Sequence, residues 1–334
     1  MPKKLLPVTP PELEYPDRVV AIVVGIEDYQ DTPSGPALPK VDFARNDAAG
    51  FARALKSIYP SDSLDLQEFT DSQATASSLD YALKQTIESL GPDDLFVFYY
   101  AGHGFHGVAG NRITAWDSRP FNIEGSTILL REKLGDRLTA SGCQRALAFV
   151  DACATKFEPL VRVRDVISDM DPRELREFLS SATYNAIFLS CRPGQQSYPS
   201  PEHSHGVWTY FLLRALSGDA ETAIGPGRWI TAASLQDYLQ KEVPRYVTNR
   251  LSVKGNQNPR AIIDHPTRFR YDTSRNRRSR FPKREICHRY AWFPSKNIWK
   301  ARRAAGSVRW KGSASEGARS FPRSPAKQTA TGEN

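Results

Sequence analysis

Asp94-Leu95-Phe96-Val97-Phe98-Tyr99-Tyr100-Ala101-Gly102-His103-Gly104 and Arg145-Ala146-Leu147-Ala148-Phe149-Val150-Asp151-Ala152-Cys153 decide how this chain is read. Each opens on a short, nearly continuous apolar run, the signature of a strand buried on both faces. Each run stops at a residue able to do chemistry. In a parallel α/β sheet, loops and ligands gather at the C-terminal ends of the strands. A histidine at one such end and a cysteine at a neighbouring end face the same crevice, the layout of a thiol nucleophile with its base.

Arg18-Val19-Val20-Ala21-Ile22-Val23-Val24-Gly25 reads as another buried strand. Helical spacing follows over 42–59, a short strand over 64–69, and a helix capped by Thr75 or Ser77 that runs to Leu90 and stops at Gly91-Pro92. The glycines and proline of 104–125 read as loop, 126–138 as a helix, and 171–181 as a helix with Pro172 in its first turn. A strand over 185–191, helices over 205–216 and 234–250, and a last strand over 260–264 complete the pattern. Strands alternating with helices predict an α/β fold with a mostly parallel sheet of six strands and helices on both faces.

The chain has 334 residues, 40% of them hydrophobic, enough for a packed core. Its four cysteines (143, 153, 191 and 287) form no Cys-x-x-Cys pair and no disulfide framework. A reducing, cytoplasmic setting that keeps a thiol free is expected. No apolar run is long enough for a membrane span, and residues 1–17, with five prolines, read as an extension rather than a secretory signal. The net charge of +8 is uneven. Residues 266–334 hold 18 Lys and Arg against 4 Asp and Glu, a net of +14, which leaves −6 on the rest. Three units follow: 1–17, a globular domain over 18–265, and a basic tail over 266–334 that reads as disordered. With Trp and Tyr among its charges the tail suits nucleic acid; the plainer reading is a solvated extension without a recognisable binding motif.

Each chemical residue has a plainer reading too. A buried cysteine is usually an inert small hydrophobe, and a lone histidine is usually structural. The strand-end positions favour chemistry: Cys153 as nucleophile and His103 as base, the latter between glycines expected to leave its ring uncovered. His106 competes for the base role. The amides of Gly104 and Cys153 are placed to form an oxyanion hole. The two histidines lack further ligands at a convincing spacing, so no metal site is expected.

These stretches carry a family resemblance. Val23-Val24-Gly25-Ile26 with Tyr29, Arg45-Asn46-Asp47-Ala48, the His103 and Cys153 motifs, Ser190-Cys191-Arg192-Pro193-Gly194-Gln195-Gln196-Ser197 and Ser204-His205-Gly206-Val207-Trp208-Thr209-Tyr210-Phe211 stand in the order of the caspase-like cysteine peptidases. Within them the chain resembles the metacaspase and bacterial caspase-domain branch, over about residues 18–265. The resemblance implies a caspase-like three-layer sandwich. It also implies an endopeptidase acting on proteins or peptides through a Cys153/His103 dyad, with an oxyanion hole at Gly104 and Cys153. The acids matching a pocket for Arg or Lys are Asp47 and Asp151, whose plainer roles are a helix first-turn charge and a strand-end hydrogen bond. Caspases proper carry Gln where Asp151 stands.

Ala154-Thr155-Lys156 departs from the residues that usually follow the cysteine, and Lys156 opposes a basic-residue preference. The acids of a calcium site are not clearly present, Asp165, Asp169 and Asp171 being the nearest, so no cofactor is expected. Arg162 and Arg164 offer points of self-cleavage. The rival readings are a non-catalytic scaffold of the same fold and a nucleic-acid-binding protein acting through its tail.

Overall fold

The computed structural model describes residues 16, 18–31, 37–153, 184–192, 194–225, 229–263 and 268–270. The chain divides into a unit Met1–Arg280 and a unit Phe281–Asn334, and every described residue belongs to the first. The basic tail expected over 266–334 therefore lies outside the described residues except at 268–270, as does the helix expected over 171–181.

Six strands form the spine of a sheet in the order β11 (Arg260–Ile263), β7 (Tyr184–Leu189), β6 (Arg145–Cys153), β3 (Leu95–Gly107), β1 (Val19–Gly25), β2 (Leu64–Thr70). All neighbours run parallel except β11, which pairs antiparallel with β7. Period-two alternation divides the apolar strands between two cores. Val20, Ile22, Val24, Phe96, Phe98, Tyr100, Ala146, Ala148 and Val150 meet α2 (Ala76–Glu88) and α3 (Arg137–Ser141) on one face. Val19, Ala21, Val23, Leu95, Val97, Tyr99, Leu147 and Phe149 meet α1 (Ala44–Ile58), α4 (Val207–Leu216) and α5 (Ala232–Arg250) on the other. Every residue of β1 is buried, as its unbroken apolar run requires of a strand covered on both faces. The fold is a three-layer α/β/α sandwich, as the alternation of elements predicts.

The sequence reading departs from the structure past His103. The segment read as loop continues β3 to Gly107 and turns back as β4 (Gly110–Thr114), which pairs with β5 (Thr127–Leu129). Glycines give this arm little strand propensity of its own, but buried Phe105, Ile113 and Ile128 anchor it, and packing overrides propensity. The helix read over 126–138 starts later for the same reason. Its first residues belong to β5, and a π-helical stretch over 131–136 leads into α3. Two short antiparallel pairs correct the reading: β9 (His205–Gly206), paired with β8 (Pro199–Ser200), takes the first two residues of the helix read over 205–216, and β12 (Arg268–Arg270), paired with β10 (Trp229–Thr231), puts a strand in the tail read as disordered.

Candidate active site

In-register pairing of β3 with β6 sets His103 opposite Cys153, the last residue of β6. Neighbouring strands lie about 4.8 Å apart, so the two backbones are adjacent at the C-terminal edge of the sheet. His106 is carried onto the β3–β4 arm, where its partner across the strands is Asn111 and its Nδ1 meets the Asn111 Oδ1 at 3.1 Å. Gly104 stands where β3 leaves β6 and takes up β4, opposite Ile113.

Tertiary contacts hold the His103 backbone on both sides. Its N–H donates to the Tyr29 hydroxyl (3.1 Å), Tyr29 pairs with the Thr114 hydroxyl (2.8 Å), and Thr114 donates to the His103 carbonyl (3.2 Å). Each hydroxyl has one proton, so the Tyr29 proton points to Thr114 and the three groups close a ring. The Tyr100 hydroxyl reaches the same carbonyl at 2.9 Å. The Tyr29 ring stacks on the imidazole at 5.2 Å between centroids. Contrary to expectation, the His103 ring is not uncovered: only 3% of the residue is exposed. Gly102 serves the tyrosines instead. A Cβ there would strike the Tyr100 hydroxyl and come within 3.1 Å of that of Tyr29.

Burial pushes His103 down to about 4, against the pull of the Pro39 carbonyl, so the imidazole is neutral at pH 7. A neutral ring carries one N–H. The Pro39 carbonyl lies 2.7 Å from Nε2 and can only accept, so that proton is on Nε2 and Nδ1 is the basic nitrogen. The Pro39 segment is tied to its surroundings by charge. The Val41 N–H donates to the Glu27 carbonyl, Lys40 and Arg45 meet the Glu27 carboxylate at 3.0 and 3.3 Å, and Arg45 reaches Asp71 at 2.7 Å. Burial works against the Glu27 carboxylate, but Lys40 and Arg45 hold it below its ordinary value.

The two acids converge. Asp47, in the first turn of α1, accepts from the Gly206 N–H on both oxygens (3.1 and 3.0 Å) and lies 2.7 Å from the His205 Nδ1. Asp151, two residues before Cys153, accepts from the Thr209 hydroxyl at 2.9 Å, which obliges Tyr99 to donate to Thr209 at 2.8 Å. A Cβ on Gly206 would stand 3.0 Å from an oxygen of each carboxylate, so these oxygens lie within twice that distance of each other. Both residues are buried. Burial, with Asp151 adding to it and His205 opposing, pushes Asp47 up to about 7. Burial raises Asp151 as well, against the hydroxyls of Ser197, Thr209 and Ser190. Ser190 Oγ is itself buried without a partner at hydrogen-bonding distance among the described residues, so its help is that of a nearby dipole. Among the described residues neither carboxylate pairs with a lysine or arginine; the one basic partner is His205.

The plainer roles thus describe both acids in part, since Asp47 is a first-turn acid and Asp151 a strand-end acceptor. Neither role accounts for two buried carboxylates facing one glycine. The sequence reading missed the residues that hold them. Gln257 is fully buried and donates to the Ser190 carbonyl and the Ser197 hydroxyl, fixing the loop beside Asp151. Pro39 acts through a carbonyl, which leaves no trace in a sequence. His205-Gly206 carried a signal, a polar residue and a glycine directly before the apolar run of α4. Lys156, Arg162, Arg164, Asp165, Asp169 and Asp171 lie outside the described residues. Among the described residues there is no cluster of acids, histidines or cysteines able to hold a metal, and no helix long and apolar enough to cross a membrane.

No curated protein matches the sequence. Among solved structures the chain is similar to caspase-1 from Spodoptera frugiperda, at 17% identity and a TM-score of 0.49, over 74% of this chain and 86% of that one. It is also similar to protein GSU0716 from Geobacter sulfurreducens, at 16% identity and a TM-score of 0.47, over 74% and 93%. The family model of the caspase domain matches residues 18–269, which take in the whole spine of the sheet, His103, Cys153 and both acids; the chain belongs to the caspase-domain family.

Proposed function

We propose that the protein is a cysteine endopeptidase that cuts after arginine or lysine. Cys153 is the nucleophile and His103 its base. As the thiol attacks the scissile carbonyl, its proton passes to His103 Nδ1, and the oxyanion takes hydrogen bonds from the amides of Gly104 and Cys153. His103 then gives the proton to the leaving amine. Water, activated by the same imidazole, hydrolyses the acyl-enzyme. A neutral, buried imidazole suits this order of events, because it can take a proton only as the attack proceeds. The substrate's basic side chain is recognised by Asp47 and Asp151, whose negative charge attracts it strongly in a partly dry site.

The observation that carries the reading is the register of His103 against Cys153, with the imidazole N–H committed to Pro39. Paired fluorogenic peptides ending in Arg, Lys or Asp, offered to wild type and to Cys153→Ala with and without calcium, test it. Arg or Lys cleavage that disappears in the variant is the expected result. Asp cleavage would keep the dyad and remove the assigned roles of Asp47 and Asp151. No cleavage of any peptide would favour a non-catalytic member of the family.

A further inference from the structure

Asp47 has one side-chain donor among the described residues, His205, and it comes from far along the chain. The imidazole lies in β9, two residues before the first residue of α4, while Asp47 lies on α1. The other donor, the Gly206 amide, is the next residue of the same strand. β9 therefore delivers two adjacent N–H groups to one carboxylate. Its position is fixed from outside: Asn46 donates to the Ser204 carbonyl, Val207 donates to the Tyr198 carbonyl, and the His203 ring stacks on Tyr210 of α4 at 3.7 Å. The carboxylate needs both donors. It is buried beside a second carboxylate, and an acid in that position takes up a proton unless donors hold its charge. Losing the proton-bearing Nδ1 removes the larger of the influences that keep Asp47 ionised.

We propose that His205 is a positioning residue for substrate recognition: its Nδ1–H keeps Asp47 charged and aimed, so that the pocket distinguishes a cationic side chain from a neutral one of the same shape. This role rests on the proposed cleavage after basic residues. His205 acts through Asp47 and has no part in the proton transfers at His103, so its loss falls on KM rather than on kcat.

Arginine and citrulline differ in charge but hardly in shape, so two otherwise identical peptides ending in one or the other isolate the effect. Wild type, His205→Leu, His205→Asn and Asp47→Asn are compared at pH 7.5, each checked for its unfolding temperature. The Asn side chain places an amide N–H where the imidazole Nδ1–H stands, so it keeps the donor without the ring. The expected result is a fall of about tenfold to a hundredfold in the arginine-to-citrulline ratio of kcat/KM for His205→Leu, the range of one charge-assisted hydrogen bond. The fall appears in KM, His205→Asn restores most of the ratio, and adding His205→Leu to Asp47→Asn lowers it no further. A folded His205→Leu enzyme with the wild-type ratio overturns the role, as does a His205→Asn enzyme no better than His205→Leu. Failure of wild type to cut the arginine peptide overturns the proposed activity and this role with it; arginine cleavage with an unchanged ratio in His205→Leu overturns this role alone.

Discussion

Replacing Asp47 by asparagine is expected to make the protein more stable at neutral and alkaline pH while removing the proposed preference for arginine. Burial lifts Asp47 from an ordinary 3.8 to about 7, so the folded state binds its proton more tightly than the unfolded chain does. A raised folded value means that stability is greatest below the unfolded value. It declines as pH rises between the two values and levels off above the folded one. Lifting the carboxyl from 3.8 to about 7, at 1.36 kcal/mol for each tenfold change in proton affinity, puts the penalty of the ionised form at about 4 kcal/mol as an upper bound. Asparagine is nearly isosteric, cannot ionise, and still offers an oxygen to the Gly206 amide. The penalty therefore disappears with little else changed.

The assay is thermal unfolding of wild type and Asp47→Asn from pH 4.5 to 8.5. Near pH 4.5 the gap should be only about 1 kcal/mol, a few degrees, because ionisation in the unfolded chain has just begun to count. As pH rises to 7 the wild type should fall behind by several degrees, since about 1 kcal/mol shifts the midpoint of a domain of this size by 2–4 °C. Above about pH 7.5 the gap should stop growing. A variant less stable than wild type at pH 8, or a gap that ignores pH, would refute the claim that a strained carboxylate sits at this position.

Three further outcomes follow from the same geometry. With arginine peptides kcat/KM should fall as pH drops below 7, because Asp47 takes up a proton. With citrulline peptides that limb should be missing, because His103 stays neutral down to about pH 4; a shared limb near 7 would assign it to the dyad instead. Gly206→Ala has no backbone conformation to strain, since φ is −58° and ψ 140°, but its methyl group would press on both carboxylates. A loss of about 1–3 kcal/mol in denaturant unfolding is expected, with the arginine preference reduced; wild-type values for both would mean the acids stand further apart. Tyr29→Phe keeps the stack on His103 but leaves a buried N–H without its acceptor. It should cost about 1–3 kcal/mol and lower kcat more than it raises KM, and a purely KM effect would argue that the hydroxyl does not hold the base.

What was legible in the sequence follows from where the information resides. The strands β1, β3, β6 and β7 are buried on both faces, so each is a run of apolar residues that nothing exposed would tolerate. Their in-register, parallel pairing then brings His103 to Cys153 without any further signal. The β3–β4–β5 arm was illegible because its glycines suit a loop as well as a strand, and only the burial of Phe105, Ile113 and Ile128 decides between them. The tie on the imidazole was illegible in a stronger sense, since any residue at position 39 would offer a carbonyl. His205 lay in between. It stood in a motif that resembled the family, but its pairing with Asp47 joins β9 to the start of α1 across 158 residues of sequence, and no local pattern records it.

The two halves of the site are stabilised by opposite means. His103 is held by neutral groups: a ring of hydrogen bonds through Tyr29 and Thr114, a stacked phenol and a backbone carbonyl. Its burial keeps it uncharged, so the resting base imposes no electrostatic penalty on the fold. Asp47 and Asp151 are buried as acids beside one another, each with an oxygen 3.0 Å from where a Cβ on Gly206 would stand. Their ionisation is opposed by the fold and relieved by any cation that enters. In the proposed pocket a guanidinium would be attracted not only by charge but by the release of that strain, which a neutral side chain cannot provide. Recognition and catalysis are thereby separable. Changes at Asp47, His205 or Gly206 should move the proposed substrate preference and stability together and leave His103 intact as the proposed base, whereas changes at Tyr29 or Thr114 should weaken that base and leave the proposed preference for basic residues in place.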